Sequence, residues 1–402
     1  MTNKPLDGVR VLAAEQMQAL PYATQLLGRL GADVVKVEPP AGESGRGSQP
    51  AMLDPEGRPV GATFLRNNLG KRSVAIDLKS ERGREVFLQL VPRFDVVAEN
   101  FKAGTMERLG LGYETVRSVH PAVIYVSVSG FGSNGSPYGS WPAYASIVEG
   151  MSGIYEYTRR PDEPPRANPV GALGDISSAL FATIGILAAL RHRDATGEGQ
   201  RVDVAMLDAT VAMTDIVTNF ASLGLPRQPY PPPYILDTFR ASDGWFVMQL
   251  VREHQFERLA ETVGHSEWKE DPRLAERSGW GQHLEDVIRP GIESWAAVRT
   301  KLEAAEALMS AGVAAGPCLE SHEVIADPHL AARNMLVAMS RTDGVEEPVL
   351  IPGNPVKLSK VPEEDEHRVP WVGEHTCDVL RTELGLDDAQ LAALAEAGII
   401  SR

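Results

Sequence analysis

The chain has 402 residues, 43% hydrophobic and 23% charged, the balance of a globular protein too long for one ordinary core, so two domains are expected. Its 39 basic and 54 acidic side chains give a formal charge of −15, which excludes a general nucleic-acid binder because phosphate neutralisation needs a basic face. Cys318 and Cys377 are too few for a disulfide framework, and "MTNKPLDGVRVLAAEQ" lacks the basic-then-apolar pattern of a secretory leader, so a cytoplasmic setting is expected.

The first half alternates strand-like and helix-like segments. "GVRVLAA" is β-prone, "ATQLLGRLG" has helical spacing and stops at Gly31, and "ADVVKVE" is a strand again. The alternation continues through "RSVAIDL", the helical "SERGREVFLQLVPRF", then "DVVAEN" and "AVIYVSVSG". A buried helix in "VGALGDISSALFATIGILAAL", the strand "QRVDVAM" and the helical "LDATVAMTDIV" complete it. Strands separated by helix-length segments imply right-handed crossovers, hence an α/β fold with an open parallel sheet covered on both faces. The longest apolar run, residues 176–190, is broken by Ser177, Ser178, Thr183 and Gly185. It falls short of the roughly 20 residues that span a bilayer, so no membrane segment is expected.

"LGLPRQPYPPPY", with five prolines and no apolar period, reads as an extended connection between domains. Beyond it "GWFVMQLV" is a strand, "EHQFERLAETVG" a helix, and "SWAAVRTKLEAAEALMSAG" one longer helix ending at Gly312. After "DPHLAARNML" and the strand-like "PVLIPGNPVKLS", the helical tail "GEHTCDVLRTELGLDDAQLAALAEAG" is too small to fold alone and is expected to return to the first domain. The expected division is residues 1–225, a smaller α/β domain at 226–325, and a returning segment at 326–402.

Asp175 stands at the threshold of the apolar run. A helix N-cap would account for it, an acid there contributing about 0.5–2 kcal/mol. A nucleophile presented by Gly174 and backed by small side chains would account for it too, and local sequence leaves both readings open. Other motifs are weaker. "GFGSNG", residues 130–135, matches GxGxxG after a strand, but "SPYGSWP" follows, with Pro137 and Pro142, where a dinucleotide site needs a helix to begin. "NNLGKRS" resembles the end of a phosphate loop with Leu65 where the first glycine must stand and Arg72 in place of Ser or Thr. The nine histidines form no HExxH and no i, i+4 pair, so no metal site is expected, and no GxSxG elbow is present. Lys71, Arg72, Lys79, Lys102 and Arg108 would, if convergent, receive the phosphates of a nucleotide-bearing ligand.

Seven segments in register decide more: "LDGVRVL", "TQLLGRLGADVVKVEPP", "NNLGKRSVAIDLKSERGREVFLQLV", "DVVAENFKAGTMERLGLGYETV", "HPAVIYVSVSGFGSNGSPYG", "GALGDISSALFATIGILAALRHRDATGEGQRVDVAMLDA" and "GEHTCDVL". Together they resemble the class III CoA-transferase family, also called the CaiB/BaiF family, of which formyl-CoA transferase is a representative. The resemblance implies a Rossmann-like large domain formed by both chain ends, a smaller inserted domain, and an interlocked homodimer with specificity residing between the domains. It implies CoA held as substrate by the large domain, with no tightly bound cofactor. The positions matching the family's CoA contacts are Gln18 and Ala19; Ile76, Asp77, Leu78 and Lys79; Asn100, Phe101 and Lys102; Arg108; and Tyr144. Pro39 and Pro142 depart from the arginine and lysine of some members, and the formyl-CoA branch's Gly-rich loop has no counterpart.

By the same resemblance Asp175 matches the catalytic aspartate, which attacks an acyl-CoA thioester, and Gln18 matches an amide that donates to the acyl oxygen. The partners implied are an acyl-CoA and a small carboxylic acid. Arg166 and Arg240 are candidates to pair with that acid's carboxylate. The racemase branch places a His within "GHD" where this chain reads "PAYA", with Tyr144 at the His position. A phenol with a reference pKa near 10 is a poor base at neutral pH, which favours transfer over α-proton exchange. Retention of Asp175 and Gln18 speaks against a noncatalytic CoA-binding protein.

Overall fold

Runs of Val, Ile, Ala and Leu with β-branched content form the strands around which the larger unit is built. The computed structural model describes residues 4–133, 135–156, 163–167, 169–223, 232–361, 363 and 365–401, with the main chain only at 219–221. In chain order the strands are β1 (Arg10–Ala14), β2 (Asp33–Glu38), β3 (Ala51–Leu53), β4 (Pro59–Gly61), β5 (Arg72–Ala75), β6 (Val96–Glu99), β7 (Ile124–Ser129) and β8 (Arg201–Ala205). β3 and β4 pair as a separate hairpin; the other six form one parallel sheet in the order β5-β2-β1-β6-β7-β8. Counted along the chain this is 3-2-1-4-5-6, the doubly wound order, and it reverses between β1 and β6. Ligands of such sheets bind outside the carboxyl ends of the strands at that reversal.

The helices of this unit begin with α1 (Ala19–Arg29), α2 (Ala62–Asn67), α3 (Glu81–Leu90), α4 (Thr105–Arg108), α5 (Tyr113–Val119), α6 (Ala145–Met151), α7 (Leu173–Thr196) and α8 (Met206–Ala212). The period-two alternation of the strands divides the core. Val11, Ala13, Val96, Ala98 and Val126 pack with Leu20 and Leu27 of α1 and Ala182 and Ile186 of α7. Leu12, Val35, Val97 and Tyr125 face Val86 and Phe87 of α3, Val116 of α5, and the C-terminal helices Thr376–Leu384 and Asp388–Glu396. The tail does return: Ile400 bridges Ile76, and Thr376 Oγ1 accepts the Ala75 N–H at 3.0 Å.

The helix α7 has 24 residues, longer than its apolar run, and by length and composition could cross a membrane. It packs instead as a core helix. Its small residues allow close approach to the sheet, since a Cβ on Gly185 would come within 2.7 Å of Val202. The helix α8 stops at Ala212, short of the expected Val217, as Met213 and Thr214 turn back onto Thr210 and Val211.

Compact packing separates Met1–Val217 with Ala332–Arg402 from a second unit, Thr218–Ala331. The proline-rich connection falls largely outside the described residues. In the second unit β9 (Ile235–Ala241), β10 (Gly244–Leu250) and β11 (Ala314–Pro317) form an antiparallel sheet in the order β11-β10-β9. Phe239, Phe246 and Met248 pack beneath Leu259, Ile292 and Leu308 of three helices. One expectation fails here. "SWAAVRTKLEAAEALMSAG" is not one helix: Arg289–Ala296 ends, and Lys301–Ser310 starts afresh from a capping box of Thr300 and Glu303.

Candidate active site

Both α1 and α7 begin on the carboxyl side of the sheet, α1 because it leaves β1, and α7 because it runs back to enter β8. Asp175 is the third residue of α7, not its N-cap. The cap position is Ala172, with a left-handed backbone (φ 54°), and the cap hydrogen bond comes from elsewhere. Glu149 of α6, only 1% exposed, accepts the Gly174 N–H at 3.1 Å, while Tyr155 donates its hydroxyl to the other carboxylate oxygen at 3.2 Å. An acid of another helix thus performs the capping that the sequence offered to Asp175. Among the described residues the Asp175 carboxylate has no hydrogen-bond partner. Burial, and then the negative charge of Glu149, push its pKa up to about 6.

The small residue before it has a packing role. A Cβ on Gly174 would meet Val148 Cγ2 at 2.8 Å and the Ala145 backbone at 3.2 Å. The glycine lets α6 approach the start of α7 and so brings Glu149 to its cap.

Gln18 occupies the N-cap of α1 without capping it, and its Nε2 is buried without a partner in the described structure. A buried amide donor left unpaired is costly, so the group is poised for an acceptor supplied by a ligand. Met17 just before it has φ 59° and donates its N–H to Glu43 Oε2 at 3.1 Å. Met17 and Ala172 are two of the three non-glycine residues with positive φ among the described residues. Each introduces one of the two helices that carry the site, where such strain commonly concentrates.

Beneath the Met17–Gln18 turn lies a charge network whose members are at most 5% exposed. Lys71 Nζ is 2.6 Å from Glu15 Oε1; Lys36 Nζ is 3.6 Å from the same atom and 3.5 Å from Glu43 Oε1. Arg46 pairs with both Glu38 oxygens at 2.8 and 2.7 Å, and Glu38 also accepts the Glu43 N–H. Burial pushes Lys71 down to about 8, against the pull of Glu15. Lys71 therefore belongs to the support of the site rather than to a phosphate, and Arg72 is likewise engaged, on Asp33.

The remaining expected contacts follow the carboxyl ends of β5 and β6 or lie at the ends of α1, α4 and α6. After β5, the Ile76 side chain is buried in the core and Leu78 packs half-buried against it, while the Asp77 N–H bonds Ile399 O and the Lys79 side chain is exposed. After β6, Asn100 donates to Gln16 O and accepts its N–H, both at 2.9 Å, tying the ends of β6 and β1 across the reversal. Glu99, pushed up to about 7 by burial, accepts the Phe101 N–H at 2.9 Å; Lys102 is exposed beyond it. Ala19 is buried in the first turn of α1, and Arg108 is exposed on α4 with one bond, at 2.8 Å, to Thr105. Tyr144, 72% exposed, precedes α6.

Arg166 is exposed and paired with Glu163 at 3.1 Å, and Arg240 lies on β9 of the other unit. After the GxGxxG match the next helix starts only at Ala145, and Gly130 serves to admit Ala143, whose Cβ would lie 2.0 Å from an added one. Sequence reasoning missed Glu43, Glu99 and Glu149. The signal for the last was an acid inside the apolar run "SIVEGM".

A doubly wound α/β sheet with polar side chains presented at its reversal edge is the frame of a ligand-binding enzyme. Residues 6–376 match CoA-transferase family III, and the chain belongs to that family. It is 36% identical over 391 residues to the succinyl-CoA:mesaconate CoA-transferase of Haloarcula hispanica, covering 93% of this chain and 95% of that one. It is 35% identical over 423 residues to the formyl-CoA:oxalate CoA-transferase of Streptomyces coelicolor, covering 100% of both. A crystal structure of a CaiB/BaiF family protein from Brucella suis superposes with a TM-score of 0.84 at 32% identity, covering 95% of this chain and 100% of that one. The chain is thus an enzyme of the CoA-transferase class, with CoA thioesters as substrates.

Proposed function

We propose that this enzyme moves CoA from an acyl-CoA to a carboxylic acid through covalent intermediates on Asp175. The observation that carries the reading is an Asp175 carboxylate with no described hydrogen-bond partner, at a helix start whose cap is already supplied by Glu149. The carboxylate attacks the thioester carbonyl, the C–S bond breaks, and CoA leaves as thiolate, giving an acyl-aspartyl anhydride. The thiolate then attacks the aspartyl carbonyl, releasing the donor acid and leaving aspartyl-CoA. The acceptor carboxylate displaces the thiolate to form a second anhydride, whose acyl carbonyl takes CoA back and frees Asp175. Gln18 Nε2 donates to the oxygen on which charge develops.

The CoA moiety lies along the carboxyl ends of β1, β5 and β6, against Ala19, the main chain of Ile76, Asp77 and Leu78, and residues Asn100 and Phe101, with Lys79, Lys102 and Arg108 toward its phosphates and Tyr144 beside it. The relatives' names favour a succinyl- or formyl-CoA donor and a small dicarboxylate acceptor. Incubation with these thioesters, trapping with hydroxylamine and mass spectrometry should find a hydroxamate on Asp175. Rapid exchange with no such adduct overturns the reading.

The functional form is an interlocked homodimer in the cytoplasm. Its support is an apolar stripe on α7, where Leu180, Phe181 and Ile184 are 41, 38 and 60% exposed, continued by Ile147 and Met151 of α6. Sedimentation at twice the chain mass is expected; a monomer that retains full exchange activity contradicts it.

A further inference from the structure

Glu149 is the buried acid closest in effect to Asp175, and it lies outside every motif of the sequence. Of the elements packed against α7, α1 brings the phenol of Tyr22 and, at its far end on Glu366, Arg29. On β8, Arg201 is held by Ser127, and Asp203 by Ser133; on α8, Asp208 is exposed. No ionised group stands on β7, and among the described residues the charge set against Asp175 is that of Glu149 on α6. Both Glu149 oxygens act as acceptors, one from Gly174 N–H and one from the Tyr155 hydroxyl, which also lies 3.1 Å from Ser146 O.

We infer that Glu149 is a positioning residue for Asp175: it takes the helix-opening N–H that would otherwise stabilise the aspartate anion, and holds a second buried carboxylate beside it. This rests on Asp175 being the nucleophile. An N-terminal amide is the natural partner of an anion at a helix start. With that amide engaged, the Asp175 anion keeps its basicity, and basicity in a carboxylate follows nucleophilicity. Acylation converts the anion to a neutral anhydride and moves the charge onto the departing thiolate. The repulsion from Glu149 is therefore relieved in the step that forms the covalent intermediate, and returns when Asp175 is released.

The experiment compares full-length wild type, Glu149→Gln and Tyr155→Phe with succinyl-CoA and a small dicarboxylate acceptor, following kcat and KM between pH 4 and 8. Glutamine retains the acceptor oxygen and the shape without the charge. Expected for Glu149→Gln are an acid limb moved from near 6 toward the ordinary carboxylate range, kcat lower by about tenfold, an unchanged KM for the thioester, and less trapped Asp175 hydroxamate. In Tyr155→Phe, which removes one donor from Glu149 and leaves its charge less compensated, the limb moves upward. An acid limb unmoved in both variants overturns the role of Glu149, as does a Glu149→Gln variant that loses thermal stability with kcat and limb intact. Absence of the hydroxamate in wild type overturns the nucleophile itself, so the two failures are distinguishable.

Discussion

Replacing Asp175 with asparagine is expected to lower CoA exchange by about four orders of magnitude, the scale of losing a covalent nucleophile, while making the fold more stable. The second half separates the two readings of this residue. If Asp175 were a cap, asparagine would replace it with little change in stability, since its side-chain oxygen caps as well as a carboxylate. The geometry argues for a gain, because Glu149 holds the cap and Asp175 is a partner-poor carboxylate pushed up from 3.8 to about 6. Its folded pKa lies above its unfolded one, so between roughly pH 4 and 6 the folded state binds the extra proton. Stability contributed by the protonated form is complete below pH 4 and is lost as the pH rises through 6. At pH 7.5 the asparagine variant should therefore gain about 2 kcal/mol, and at pH 3.5 nothing. Urea unfolding at both pH values checks it, and a variant no more stable than wild type at pH 7.5 overturns the burial penalty on Asp175.

The second large effect concerns the network under Gln18. Glu15 accepts from Lys71 at 2.6 Å and from the Thr24 hydroxyl at 2.8 Å, with Lys36 3.6 Å away, and the three charged residues are at most 4% exposed. Glu15→Gln removes one negative charge from between two buried ammonium groups, and breaking a buried pair from one side costs about 3–5 kcal/mol. The Lys71 pKa is pushed from 10.5 to about 8, so above pH 8 the unfolded state binds more protons than the folded one. Stability therefore rises with pH from about 8 to 10.5. The deficit of Glu15→Gln should shrink as the pH rises toward 8, because without Glu15 the buried Lys71 sheds its proton at lower pH than in wild type, and it should stay level above 8. Adding Lys71→Met should recover much of the loss at pH 7. A single variant as stable as wild type at pH 7 would mean the network carries no such interaction. Since Glu43 of the same network holds Met17 at φ 59°, the single variant should also raise the KM for acyl-CoA.

Much of this molecule is legible along the chain. The six strands show as β-branched apolar runs spaced by helix-length segments, and the tail's smallness required its return to the first core. The split between Arg289–Ala296 and Lys301–Ser310 was also written there, as Thr300 and Glu303 three apart, but an unbroken apolar period masked it. At the site, Asp175 and Gln18 stand out through the family's segments. What surrounds them is less legible: Gly174, read as presenting a nucleophile, admits a helix, and Lys71, read as a candidate for a ligand's phosphates, is buried against Glu15.

By itself the sequence determined the strand and helix succession of the parallel sheet, the family, and the identity of the two side chains at the helix starts, because these follow from neighbours in the chain. Only the tertiary structure decided that Glu149, 26 positions before Asp175, caps its helix, and that Glu43, 25 positions beyond Gln18, holds the turn before it. Partnership, burial and charge are set by groups that meet only after the sheet is wound, and local spacing carries no record of which acid will take which amide.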